Sequence, residues 1–443
     1  MARITRGGWA AIVAGVAAIA LVVVLLATGL TRFCRADGSS SAEPSAGQTP
    51  SAAAGSSSTA PAASATQQSN SASTSAGPSP SATPSSASPP NLAASAAQQA
   101  LDGMTLPQKV GQVLMVSSPV GGPDANTLAA LTTYHVGNVF LKGRSQAGTA
   151  AAAAVVAQIN AQVSAQSTAG VQQFVATDQE GGLVQILNGP GFSPIPSALD
   201  QGTLAPATLR ADAQLWGSQL ASAGVNVNLA PVLDTVPGPD FAPRNIPIGR
   251  YQREYGFTPE AVSSHGVAVA RGMAAAGVST AVKHFPGLGR VTANTDTNTN
   301  VMDGVTMRHD AYLMPFRDAV NAGVRWVMVG NAIYEGIDPG HPAPFSPVII
   351  NGMLRGDLGF DGIIISDDIC DAVQLSPFLP EDRAANFIAA GGTMALCTDQ
   401  ALLPRLYQGV IARATAEPAF AVKVDAAVLT VLEAKAKVKL LGR

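Results

Sequence analysis

Charge is scarce in this chain and its two signs nearly cancel: charged residues make up 12% of 443 positions, with a formal net charge of −3. A nucleic-acid partner would require a basic patch or stripe, so none is expected. Cysteine and histidine are few, three and five. No group of them has metal-ligand spacing, which argues against a structural zinc site. The longest deficit lies in the N-terminal quarter. From Pro44 to Leu101 the chain holds no charged residue, and it has no large apolar residue before Leu92. Such a stretch cannot bury enough surface to offset its ordering entropy, so residues 36–97 are expected to form a disordered Ser/Pro/Ala-rich linker. A flexible tether of some 55 residues has an r.m.s. span of roughly 40 Å.

The linker follows a segment of opposite character. Trp9 to Thr31, "WAAIVAGVAAIALVVVLLATGLT", is uncharged and largely apolar, and Arg3 and Arg6 precede it. At about 1.5 Å per residue it is long enough for a hydrocarbon core of ~30 Å. A secretory signal usually carries a shorter run of about 7–15 residues. Residues 1–35 therefore read first as a retained transmembrane anchor, with a cleaved signal as the alternative. Cys34 adds a lipoprotein reading, against which "TRFC" sets Arg32 and Phe33 where small residues normally precede a lipidated cysteine. Arg32 and Arg35 beyond the span blunt the positive-inside argument for orientation. Anchor, tether and a globular domain over 98–443 suit an enzyme held in the cell envelope, outside the cytoplasm and within reach of the wall. The plain alternative is a linker with no selected reach.

In the globular part, short apolar runs recur between Ala-rich stretches. Strands are expected at "VGQVLMVSS", "VGNVFLKG", "QQFVATD", "NVNLAPVLD", "STAVKHF", "RWVMVGNA", "GIIISDD" and "TMALCTD". Ala150–Gln166, Pro206–Ala223, Pro259–Ala276 and Leu313–Ala322 have helical composition and spacing. Continuous apolar strands are those of a buried parallel sheet. Eight alternations give an α/β fold of the (β/α)8 barrel type, with a doubly wound open sheet as runner-up. Asp178, Asp234, Lys283 with His284, Asn331, Asp367 and Asp399 all fall at or just past the C-terminal end of an expected strand. Active sites of barrels lie at that face, and an open sheet would not bring so many polar strand ends together.

Four stretches, "ATDQEGGLVQIL", "AVKHFPGLG", "IPIGRYQREYG" and "GFDGIIISDDI", resemble motifs of glycoside hydrolase family 3, and within it the NagZ-like β-N-acetylglucosaminidases. The resemblance runs from about residue 104 to 400; "DQEGG" together with "KHFPG" is highly specific, whereas "SDD" alone is weak. It implies a retaining enzyme, in which one carboxylate attacks the anomeric carbon and an acid protonates the leaving oxygen. The attacking position corresponds to Asp367. A purely structural reading would make Asp367 or Asp368 a helix cap. The resemblance also places Asp178, Arg253, Lys283 and His284 on the sugar. Their bland alternatives are a turn held by Asp178 and a satisfied core histidine at 284.

The departures are as informative as the matches. NagZ-like enzymes carry an Asp-His dyad on the loop after "KHFPG", the histidine acting as acid/base; here the two positions hold Asn294 and Asp296. Ile186 stands where family members often have an arginine, and Asn331 where a histidine is expected. Asp296 is the candidate acid/base, since a carboxyl of raised pKa is the usual proton donor in glycosidases. Its competing reading is a polar loop residue, in "RVTANTDTNTN", making local turn contacts only. Glu180 and Glu254 are reserves, Glu180 with a structural role in view. Cys370 is expected just past the end of the seventh strand and Cys397 on the eighth, either bridged or as buried thiols.

Three functions follow in order: an exo-acting β-N-acetylglucosaminidase on cell-wall glycan fragments, another family 3 β-glycosidase, and a silent carbohydrate-binding wall protein. The mechanism requires no metal or organic cofactor. The expected partners are a β-linked N-acetylglucosamine glycan and, through the N-terminal segment, a membrane; the protein is expected to be a monomer.

Overall fold

The structure is a computed structural model that describes residues 92–441. The apolar run Trp9–Thr31, Cys34 and the linker up to residue 91 lie outside the described residues. Among the described residues, no helix is long and apolar enough to cross a membrane.

Eight parallel strands form the core: β1 Leu114–Pro119, β2 Asn138–Lys142, β3 Phe174–Thr177, β4 Val227–Asn228, β5 Ser279–Phe285, β6 Trp326–Val329, β7 Ile363–Ser366 and β8 Ala395–Cys397. Each pairs with its sequence neighbour, and β8 returns to pair with β1. Between β7 and β8 the contact is a single bridge, Ile365 to Met394, supported by Thr393 N to Ile364 O at 2.9 Å and Ser366 N to Met394 O at 3.0 Å. The sheet thus curls into a nearly closed barrel, and the open-sheet alternative falls. The strands are buried along almost their whole length, as their apolar runs require.

Helices follow the strands around the outside. Pro206–Ser222, Pro259–Ala275 and Met314–Asn321 match the expected segments to within a residue. The first two press together at glycines. A Cβ on Gly272 would stand 2.4 Å from the Arg210 carbonyl oxygen, and one on Gly217 would stand 2.8 Å from the Ala276 Cβ. The expected helix Ala150–Gln166 is two pieces, Gly148–Asn160 and Ala165–Thr168, because Ser164 starts a new helix through a capping box with Ser167. The first expected strand is likewise shortened. Thr105 and Gln108 form a capping box that begins the helix Leu106–Gln112, which takes up the front half of "VGQVLMVSS". In "NVNLAPVLD" the ladder stops after Asn228 and resumes only at Val232, opposite Lys283, since Pro231 has no N–H to give.

The expected boundary at residue 98 also moves. Leu92–Asp102 is a helix packed on the C-terminal helix Pro418–Lys437, with Ala97 and Leu101 buried one turn apart. Four residues of spacing place both on one face, enough to draw the end of the charge-free stretch onto the domain.

Candidate active site

The C-terminal strand ends open into a cavity of about 350 Å³, lined among others by Asp178, Arg253, Lys283, His284, Asn294, Asp296, Asp367, Asp368, Asp371 and Thr398. All six residues singled out from the sequence meet here, although they come from five separate parts of the chain.

A row of charges forms one wall, with Lys283 and Glu180 buried and Asp178 and Arg253 partly exposed. Lys283 Nζ lies 2.7 Å from Asp178 Oδ1 and 2.7 Å from Glu180 Oε1. Arg253 grips the same Glu180 with two parallel bonds, Nε and Nη2 each donating at 2.8 Å. Burial pushes the Glu180 carboxyl up, but Arg253 and Lys283 outweigh it and hold the group at about 2. Glu180 therefore stays ionised and sets the direction of both cations, the structural role expected of it. The turn after it depends on glycine: Gly181 and Gly182 have φ of 111° and 55°, and a Cβ on Gly181 would meet the Pro196 carbonyl oxygen at 2.1 Å.

His284 is held by Asp234. Its Nδ1 donates to Asp234 Oδ2 at 2.7 Å, while the other carboxylate oxygen takes the backbone N–H groups of Leu288 and His284 at 2.7 and 3.2 Å. Asp234 is fully buried. With Nδ1 committed, Nε2 is the nitrogen left for a ligand, so the ring is both a satisfied histidine and part of the cavity wall.

Asp367 follows β7, with its N–H bonded to the Val329 carbonyl at 2.8 Å and its Oδ1 accepting from Asp368 N at 2.8 Å. Burial pushes its carboxyl up; His284 and Lys283 pull it down and the nearby Asp296 charge pushes it up again, leaving it at about 6. Asp368 is turned to Thr398, whose hydroxyl and N–H both donate to it, and to Cys370 N at 2.9 Å. Burial raises Asp368 as well. Asp367 thus faces the cavity while Asp368 supports the loop.

Asp296 is exposed on the loop after β5 and makes the local contacts of the competing reading: its N–H donates to Asn294 Oδ1 at 3.0 Å, and Asn294 Nδ2 donates to its Oδ2 at 3.3 Å. It also lines the cavity, so its contacts are not confined to the turn. Of the reserves, Glu254 lies outside the cavity as a buried carboxyl raised by burial to about 7. Ile186 is packed in the core, and Asn331 supports the site from below, its Nδ2 donating to the Asp368 carbonyl at 2.9 Å.

Among the wall residues that escaped the sequence reading are Lys142, Asp371 and Thr398. Lys142, at the end of β2, donates to Asp371 at 3.1 Å and to Thr398 Oγ1 at 3.0 Å. Its place at a strand end was the available signal. Cys370 and Cys397 are joined in a disulfide with Cα atoms 5.0 Å apart, which decides between bridged and free thiols. Among the described residues, no group of three or more His, Cys, Asp or Glu is placed to hold a metal ion.

A parallel barrel that gathers carboxylates, an amine and an imidazole at its C-terminal mouth has the layout of a barrel enzyme's active site. The sequence profile of the glycosyl hydrolase family 3 N-terminal domain matches residues 105–434, and the chain belongs to that family. A β-hexosaminidase of Stenotrophomonas maltophilia (strain R551-3) is 35% identical over 208 residues, covering 44% of this chain and 58% of that relative. The crystal structure of a β-N-acetylhexosaminidase from Beutenbergia cavernae DSM 12333 is similar with a TM-score of 0.74 and 50% identity, covering 75% of this chain and 98% of that one. A family 3 β-N-acetylglucosaminidase from Paenibacillus sp. str. FPU-7 gives a TM-score of 0.67 and 27% identity, covering 76% of this chain and 63% of that one.

Proposed function

We propose that the protein is a retaining exo-β-N-acetylhexosaminidase that removes β-linked N-acetylglucosamine from cell-wall-derived glycans. One observation carries this reading: Asp367 and Asp296 line the same cavity, beside an amine, a guanidinium and an imidazole able to read sugar hydroxyls. The activities named for the Beutenbergia and Stenotrophomonas relatives support it.

In the proposed mechanism a carboxylate oxygen of Asp367 attacks the anomeric carbon. The glycosidic C–O bond breaks, and Asp296 gives its proton to the departing oxygen. Asp296, now a carboxylate, takes a proton from water as that water displaces Asp367, so configuration is retained and both groups return to their starting states. Asp178, Arg253, Lys283 and His284 hold the sugar. The Glu180 and Asp234 carboxylates keep Lys283, Arg253 and His284 aimed, so little reorganisation is needed as charge develops.

The full chain should release nitrophenol from its β-N-acetylglucosaminide, and Asp367→Asn should reduce turnover to background. Asp296→Ala should lose about 10²–10⁴-fold on substrates with poor leaving groups, with azide restoring turnover on an activated one. An unaltered rate in Asp296→Ala removes it from the chemistry. No turnover by the wild type, on β-glucosides and β-xylosides included, turns the reading to a carbohydrate-binding wall protein.

The apolar run Trp9–Thr31 supports placement of this activity at the cell envelope, on a membrane anchor followed by a linker. Recovery of the full chain in a salt-washed membrane fraction is the expected result; recovery only in the soluble fraction refutes a retained anchor.

A further inference from the structure

Asp296 sits on an exposed arc, from Asp296 to Asn300, whose two ends are buried residues, Thr295 and Val301. Both ends are tied to one side chain's neighbourhood on a different loop. Gln374 N donates to the Thr295 carbonyl at 3.0 Å. The Gln374 amide then pairs with Val301 in both directions: Val301 N donates to Oε1 at 2.9 Å, and Nε2 donates to the Val301 carbonyl at 3.2 Å. Next to it, Val373 N donates to the carbonyl of Asp296 itself at 3.3 Å. Gln374 is 4% exposed, so these bonds face no competition from bulk water.

Gln374 belongs to the β7 loop, which also carries Asp367. The same loop is fixed to β8 by the Cys370–Cys397 disulfide and by the Asp368–Thr398 bonds. At its start, the β5 loop is held independently: Asn245 Nδ2 donates to the carbonyls of Leu288 and Val291 at 2.8 and 2.7 Å. What remains to be set is the part of the loop that bears Asp296, and the bonds that set it come from the loop that bears Asp367.

Resting on the acid/base reading of Asp296, we propose that Gln374 is a positioning residue. It fixes the arc around Asp296 to the loop of Asp367, so that proton donor and nucleophile share one frame. The chemistry explains why an amide serves here. A backbone N–H and C=O on one residue need an acceptor and a donor side by side, which Gln supplies and which Met or Glu at the same length does not. A shift of about 1 Å in a catalytic group costs on the order of a hundredfold in rate, so loss of this clamp falls on the step that needs the acid.

The test is leaving-group dependence of kcat/KM, which reports the first chemical step alone. In the full chain, Gln374→Met keeps the side-chain length and removes both amide bonds. It should lower kcat/KM for a phenyl β-N-acetylglucosaminide by between about tenfold and a hundredfold, and should leave a 2,4-dinitrophenyl substrate, which departs without a proton, nearly unchanged. Gln374→Glu retains the acceptor for Val301 N and should give a smaller selective loss. It carries the test if thermal melting shows Gln374→Met to be unfolded. Equal losses on both substrates, or none, overturn the proposal. Asp296→Ala measured alongside separates the two ideas. If it lacks leaving-group dependence, the acid assignment fails and the clamp with it; if it shows the dependence and the Gln374 variants do not, only the clamp fails.

Discussion

At the scale of single residues, the site works by setting charges against burial. In the proposed mechanism Asp367 must be ionised to attack, yet burial and the neighbouring Asp296 both push it up, to about 6, against the pull of His284 and Lys283. On an activated substrate, which needs no acid, kcat/KM should therefore rise with pH through about 6. Asp296→Asn removes the like charge, so the acid limb should move to lower pH; a limb that stays in place refutes the coupling. Glu180 is the reverse case. Its folded-state value of about 2 lies below the ordinary 4.5, so its contribution is present above 4.5 and lost as pH falls toward 2. Glu180→Gln leaves Lys283 and Arg253 without their shared partner and should destabilise on the order of 3–5 kcal/mol in urea unfolding at neutral pH, with a flatter acid limb of stability than the wild type. That the six chosen residues line one cavity was legible because motifs and strand ends marked them. Lys142 also ends a strand, but it, Asp371 and Thr398 act through bonds between β2, the β7 loop and β8, far apart in the chain, which no motif marks.

At the scale of elements, the loop between β7 and β8 carries the most responsibility. It supplies Asp367, turns Asp368 to Thr398 and presents Gln374 to the β5 loop, and it is stapled by Cys370–Cys397 across 27 positions of sequence. Cross-linking a loop of that length removes denatured-state entropy worth about 3.5 kcal/mol. Replacing both cysteines with serine should lower stability by about that amount, read by chemical denaturation, and should lower turnover at a temperature where the variant is still folded. An unchanged midpoint would show that the bridge adds nothing to the fold. Strands and long helices were legible because their apolar periods are strong. The misses were local: a capping box turned the front of the first strand run into a helix, Ser164 divided another helix, and Pro231 interrupted the fourth strand. Each is a backbone hydrogen-bonding choice that a hydrophobic period does not register.

At the scale of the whole molecule, the barrel has a polar mouth and a packed interior. Phe174 on β3 and Trp326 on β6, non-adjacent strands, meet edge to face at 4.8 Å across the interior. Lys435 of the C-terminal helix reaches in beside Phe174, donating to Gln112 Oε1 at 2.8 Å and to the Gly137 carbonyl at 2.9 Å. Full burial pulls its amine well below the ordinary 10.5, so protons bind the unfolded chain more readily, and stability should fall as pH is lowered from about 10.5. Lys435→Met lacks this group, and the difference in Tm between variant and wild type should shift in the variant's favour from pH 10 to pH 7; a constant difference would show that the folded protein binds the Lys435 proton as readily as the unfolded chain does, so that burial does not depress it. The sequence by itself determined the eight-fold alternation and the strand ends that carry polar residues, because buried parallel strands must be apolar and functional groups must stand where the strands stop. It also determined the family, because "DQEGG" and "KHFPG" are short, local and specific. Only the tertiary structure decided that Glu180 directs Lys283 and Arg253, that Asp234 holds His284, that Cys370 meets Cys397 and that Gln374 spans the arc of Asp296. Those are contacts between strand ends that come together only when the sheet closes, and their strength comes from the burial that closure creates.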